Sequence, residues 1–249
     1  MTPSRETIVS RLPLLQAEPF SEGGARWYGF ADGRRYPSVS SVVGLLSRPA
    51  LEGWRLRQAL EAARQTLMAY LGRPLQPETV DLAVEEALRR PDALRDGAAR
   101  WGTGVHRYLE TGDSAAAPPH LRPGLRAAQE FIEGLRPLAR YPEWLLASDS
   151  LRVAGRTDLA MFTSKGWVVL DVKTGQVRTA HLLQLGGYAA CIQEVGGPVT
   201  AAYVLRLPRD GRPFEAHPVH DLARWQEAFA CLARLFWLLR DENGAEKGP

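Results

Sequence analysis

The chain has 249 residues, is 45% hydrophobic and 24% charged, and carries a formal net charge of only +3. That length suits one generous domain or a core with an annex, and the composition is ordinary for a globular protein. The charge excludes a strongly basic nucleic-acid binder. No apolar run approaches membrane-spanning length, and Met1-Thr-Pro-Ser-Arg5 lacks the apolar core of a signal peptide, so a cytoplasmic protein with no membrane partner is expected.

Residues 1–25 are mixed, with Ser21-Glu-Gly-Gly24 as a loop. Arg26–Phe30 and Arg34–Tyr36 flank Ala31-Asp-Gly33 and form a small hairpin. Val39–Leu46 and Leu51–Leu71 are helical; the second places Leu56, Leu60, Ala63 and Leu67 at spacings of three and four. Pro77–Arg89 and Pro91–Thr111 follow as two helices, then a loop over Ser114–Pro119, then a helix over Leu121–Leu138. From Glu143 the pattern changes. Trp144–Val153, Arg156–Phe162 and Trp167–Lys173 are three consecutive strands. Thr179–Val195 is a helix, Val199–Leu207 a strand, Pro213–Val219 an edge strand, and Leu222–Arg240 an amphipathic helix that should pack on the sheet. Cys191 and Cys231, the only cysteines, fall in the last two helices and are expected to be reduced core residues.

The informative stretch is Gly155-Arg-Thr-Asp158, twelve residues, then Asp171-Val-Lys173-Thr-Gly. The two strands meet at the turn Thr163-Ser-Lys-Gly166, so a tight antiparallel hairpin sets Asp158 near Asp171 across the ladder. Alternation points Asp171 and Lys173 the same way. Two carboxylates and an amine on one sheet face suit metal-assisted attack of water on a phosphodiester. Only three of the 31 basic residues are lysines, at 165, 173 and 247, so a lysine at this position stands out. A compact ammonium can sit beside an attacking water where a planar guanidinium fits poorly.

Upstream lies Trp101-Gly-Thr-Gly-Val-His106-Arg-Tyr-Leu-Glu110. Downstream, Gln184-Leu-Gly-Gly-Tyr188 puts Gln184 and Tyr188 at i, i+4 on one helix face. The order His, Gly-x-x-Asp, Asp-x-Lys-Thr-Gly, Gln-x-x-x-Tyr resembles the PD-(D/E)XK nuclease superfamily, and within it the RecB-like exonuclease branch, from about His106 to Tyr203. Tyr36-Pro-Ser-Val-Ser-Ser-Val-Val43 followed by Pro49-Ala-Leu-Glu-Gly-Trp54 is similar to the opening of phage-type and mitochondrial genome maintenance exonucleases, with Ser40 where threonine is usual. The same stretch reads equally as a helix start capped by Ser38 or Ser40.

The resemblance implies an α/β fold: a mixed central sheet flanked by helices, the restriction-endonuclease-like core, in residues 101–240. A mainly helical N-terminal region, 1–100, would cap it, and 241–249 would be a polar tail. It implies metal ligation by His106, Asp158, Asp171 and the Val172 carbonyl, and catalysis by Asp158, Asp171 and Lys173. Gln184 and Tyr188 would hold the substrate strand. Mg²⁺ or Mn²⁺ is the expected cofactor, imidazole favouring Mn²⁺. Two widely spaced cysteines cannot ligate a cluster alone, so no iron–sulfur cluster is expected. Glu110, i+4 from His106, could orient it or join a second metal; Glu143 is a further motif acid with no role assigned. Arg89, Arg90, Arg95 and Arg100, or Arg206, Arg209 and Arg212, could line a DNA path.

The expected activity is a metal-dependent DNA exonuclease acting on single-stranded or frayed ends in repair, recombination or replication, with DNA as partner and a helicase or recombination protein left open. The alternatives are an endonuclease of a defence or recombination system, and an inactive nuclease-fold module that binds DNA or a protein.

Overall fold

Strands rich in β-branched and aromatic residues dominate the second half of the chain, and in the computed structural model they build a five-stranded sheet. The structure describes residues 15–46, 49–111 and 119–245. Its elements are β1 (Ala17–Glu22), β2 (Ala25–Phe30), β3 (Arg35–Pro37), α1 (Val39–Val43), α2 (Pro49–Met68), α3 (Pro77–Thr111), a 3₁₀ turn (Pro119–Leu121) and α4 (Arg122–Gly134). Then come β4 (Ala139–Ser148), β5 (Val153–Thr163), β6 (Gly166–Lys173), α5 (Thr179–Gly196), β7 (Val199–Arg206), β8 (Glu215–Pro218) and α6 (Leu222–Ala245). The chain divides into two units: Met1–Leu46 with Val105–Pro249, and Ser47–Gly104.

In the larger unit the main sheet runs β4-β5-β6-β7-β8. All pairs are antiparallel except β6 with β7, which are parallel. A parallel pair needs a long crossover, and α5 supplies it. The sheet is therefore mixed and flanked by helices, as expected for a restriction-endonuclease-like core. Trp167, Val169, Leu185, Ile192 and Phe229 fill the core between sheet, α5 and α6. Trp167 is fully buried, stacks on Trp144 at 5.2 Å and donates its indole N–H to Gly196 O at 2.9 Å. Phe131 of α4 meets Tyr203 of β7 edge-on at 5.2 Å.

The two glycines inside α5 mark a close approach of another helix. A Cβ on Gly186 would lie 2.4 Å from Trp225 O, and one on Gly187 would lie 2.8 Å from the Phe229 ring. Both neighbours belong to α6: Gly186 lets the two backbones touch, and Gly187 makes room for the Phe229 ring.

Several elements differ from the sequence expectation. β1 was not expected: it pairs antiparallel with β2 across Gly23-Gly24, both at positive φ, so the loop is two residues and the mixed segment before it is a strand. The hairpin of β2 and β3 is as expected, and Ser38 caps α1 by accepting Ser41 N–H. α3 is one helix with Pro91 inside it, not two. A proline removes one helical donor, but here Asp92, next to it, pairs with Arg55 of α2 and with Arg95, and Arg90 donates to Gln65, tying both sides of the break to one neighbour. Leu56 and Leu60, two of the residues whose spacing marked the helix, are exposed on α2, while Ala62 is buried. β4 begins at Ala139, before the expected start, and stops at Ser148; Val153 opens β5. α6 runs to Ala245, into the segment expected as a tail. Cys191 is buried as expected, but Cys231 is exposed on α6. The expected loop over Ser114–Pro119, apart from Pro119, and the last four residues lie outside the described residues, as do the side chains of Trp101 and Glu110. Among the described residues no helix is long and apolar enough to cross a membrane.

Candidate metal and active site

The site forms where three strands of the sheet part. β4 and β5 pair in one constant register, yet Glu143 and Asp158, which that register sets opposite each other, are left out between Pro142↔Leu159 and Trp144↔Thr157. Tyr141 and Trp144 both pack on the same core cluster, although they are an odd number of residues apart. The in–out alternation therefore skips at Glu143, whose φ of 47° is unusual for a side-chain-bearing strand residue. The β5–β6 ladder ends at the same level, at Leu159↔Leu170. Beyond it the Asp158 carboxylate replaces the ladder: Oδ2 accepts the Val172 N–H at 2.6 Å.

His106, near the end of α3, closes the group. Its Nε2 lies 3.2 Å from Val172 O. A carbonyl only accepts, so Nε2 carries the proton in that contact. Nδ1 faces Asp158 Oδ1 at 3.5 Å and Glu143 Oε1 at 3.8 Å. In the neutral ring a lone pair and two carboxylate oxygens thus converge, and ligand atoms of His106, Glu143 and Asp158 all lie within 4.8 Å of one another. That donor set, hard oxygens with one imidazole, fits a divalent cation of the Mg²⁺ or Mn²⁺ kind. Without a cation, a proton on Nδ1 is the other way to relieve the crowding. Burial works against a charged ring, but the hydrogen bond to Glu143 and the Asp158 charge outweigh it and hold the His106 pKa above its ordinary value.

Asp171 sits on the neighbouring strand and is fully buried, at 0% exposure. Its Oδ2 meets Lys173 Nζ at 2.6 Å, the same-face pairing expected from alternation. Apart from that ion pair neither Asp171 oxygen has a hydrogen-bond partner among the described residues, and neither does the buried Thr157 hydroxyl beside Asp158. Lys173 Nζ also donates to Val172 O at 3.2 Å. Burial pushes the Asp171 carboxyl up, with the Lys173 ammonium pulling the other way. For Lys173 burial disfavours the charge, but Asp171 and Asp158 prevail and raise its pKa, so the ammonium persists at neutral pH. A cleft lined by His106, Ile132, Pro142, Asp158, Leu159, Leu170, Val172 and Leu205 opens beside the cluster.

Gln184 and Tyr188 are bonded to each other, Gln184 Nε2 donating to Tyr188 Oη at 3.0 Å. Tyr188 is buried against Gly155, where a Cβ would come within 2.8 Å of its ring. Burial first, and then the Asp158 charge, push its phenol well above the usual range. The glycine of the Gly-x-x-Asp motif thus makes room for the tyrosine of the Gln-x-x-x-Tyr motif. Two arginines fix the turn after Lys173. Arg206 Nε donates to Gly175 O and its guanidinium pairs with Glu215, while Arg209 Nε reaches Thr174 Oγ1.

The structure therefore brings His106, Asp158 and Val172 together, with Asp171, Lys173, Gln184 and Tyr188 behind them. Glu143 is the residue sequence reasoning left without a role.

A sequence profile of the PD-(D/E)XK nuclease superfamily matches residues 53–243. The chain belongs to that superfamily. Among curated proteins none matches significantly. The crystal structure of SSO0001 aligns over 72% of this chain and 84% of that one, with 13% identity and a TM-score of 0.32, a likeness too slight to bear on function.

Proposed function

We propose that the chain is a metal-dependent deoxyribonuclease, and specifically a RecB-like exonuclease that trims single-stranded or frayed DNA ends in repair, recombination or replication. The observation that carries the reading is the convergence of His106, Glu143 and Asp158 beside a buried carboxylate, Asp171, that has a free oxygen and a lysine on it. His106, Asp158, Asp171 and the Val172 carbonyl would hold Mg²⁺ or Mn²⁺, and Glu143 joins them. Such an ion, when bound, polarises a phosphate and lowers the pKa of a bound water.

The protein's own groups do the rest. Asp158 fixes the Val172 peptide and so the end of β6. Lys173 holds the attacking water and stabilises charge developing on the phosphate. Gln184, tied to Tyr188, presents its remaining amide groups to the substrate strand. An inactive binding module has no need of this set, since loss of any one of Asp158, Asp171 or Lys173 would end the chemistry.

Incubation of linear and covalently closed circular DNA with Mg²⁺ or Mn²⁺ tests the reading. Metal-dependent loss of linear strands, with closed circles intact, is expected. Efficient nicking of closed circles at low enzyme would make the protein an endonuclease, and binding without cleavage would make it an inactive module. Preference for an RNA strand would move the activity to ribonuclease.

A further inference from the structure

Among the described residues Lys173 Nζ meets two oxygens, and both are expected to face a metal. Its Nζ lies 2.6 Å from Asp171 Oδ2 and 3.2 Å from Val172 O. Asp171 is fully buried, its other oxygen has no partner among the described residues, and the Lys173 side chain is 22% exposed. A buried carboxylate without a counter-charge is strongly disfavoured. Among the described residues His106 also faces Val172 O, through Nε2 at 3.2 Å.

We infer that the Lys173 ammonium is the resident cation of the metal-free site, seated on Asp171 and the Val172 carbonyl, and that a divalent ion taking those oxygens displaces it. This rests on the metal-site reading above. An ammonium and a divalent ion cannot both occupy the same pair of oxygens at contact distance without strong repulsion. Ion entry and lysine release are then one event: the ion takes Asp171, and the freed ammonium becomes available to water and phosphate. The same residue offsets the buried Asp171 charge before an ion binds, and serves water and phosphate once displaced. A lysine suits this exchange because it is a point charge on a flexible stem; a guanidinium would need both its planar edges satisfied again after displacement.

The test needs no DNA. In the full chain, amine acylation is followed by mass spectrometry with and without Mn²⁺, with the exposed Lys165 at the β5–β6 turn as internal reference. Labelling of Lys173 relative to Lys165 should rise severalfold on adding Mn²⁺. In parallel, Mn²⁺ is titrated by calorimetry at mildly alkaline pH into wild type and Lys173→Met. With the competing cation removed, the variant should bind about tenfold more tightly. Should the variant fail to fold, the labelling experiment on wild type decides. Mn²⁺ binding with unchanged Lys173 labelling, or equal or weaker binding by a folded Lys173→Met, overturns the inference and leaves the metal site standing. No Mn²⁺ binding by either protein overturns the metal site and the inference together.

Discussion

The Asp158 carboxylate accepts the Val172 N–H at 2.6 Å, at the level where the β5–β6 ladder has stopped. One side chain thus does two jobs: Oδ2 replaces a backbone acceptor, and Oδ1 turns toward His106. As a metal ligand alone, Asp158 would be lost without cost to the fold. The geometry predicts a split instead. Asp158→Asn keeps an oxygen for Val172 and should abolish cleavage with little change in melting temperature. Asp158→Ala should also abolish cleavage and cost ~1–3 kcal/mol, the usual penalty for a buried donor left without its acceptor. Denaturant melts of the two variants check this; equal stability would remove Asp158 from its structural role.

Lys173→Arg should be nearly as damaging to turnover as Lys173→Ala. A compact ammonium on a flexible stem can stand beside an attacking water, and a planar five-donor guanidinium cannot take the same geometry. Steady-state rates on a linear single strand read this directly, and near-normal turnover by Lys173→Arg would show that positive charge alone suffices.

The metal-free protein should lose stability as pH rises. Despite burial, Glu143 and Asp158 raise the His106 pKa above its ordinary 6.5. A group with a raised folded pKa adds stability that is fully present below its unfolded value and is lost as pH climbs through the folded one. Melting temperatures in chelator should therefore fall across that window for wild type, and His106→Gln should flatten the fall. A wild-type profile without it would place His106 outside the carboxylates' influence.

Glycine positions should separate sharply. Gly186→Ala would set a Cβ 2.4 Å from Trp225 O, a backbone atom that cannot swing aside, and Gly155→Ala one 2.8 Å from the Tyr188 ring. Both should destabilise by roughly 1–3 kcal/mol or more, as overpacking does. Gly124→Ala in α4 meets nothing within 4 Å and should stabilise by about 0.5–1 kcal/mol. Thermal melts of the three variants test the ranking.

What the sequence revealed, and what it hid, follows from range. The hairpin carrying Asp158 and Asp171 was legible because a two-residue turn and period-two alternation fix its register locally. The acid–lysine pair followed from the same alternation. Glu143 was hidden because its place depends on a break shared by two strands, and a break has no period to read. β1 was hidden because Ala17-Glu-Pro-Phe-Ser-Glu22 has no regular apolar alternation and is mostly exposed, and it is held by pairing with β2. Gly186-Gly187 announced a close approach, but not that the neighbour would be α6.

The most direct measurement is single-turnover hydrolysis of an end-labelled linear single strand by wild type and Asp171→Asn, each with saturating Mn²⁺ and with chelator. Asp171→Asn keeps the size of a fully buried side chain but removes its charge. Cleavage only by wild type, and only with metal, is predicted. Equal cleavage by Asp171→Asn, or cleavage by wild type in chelator, would contradict the account.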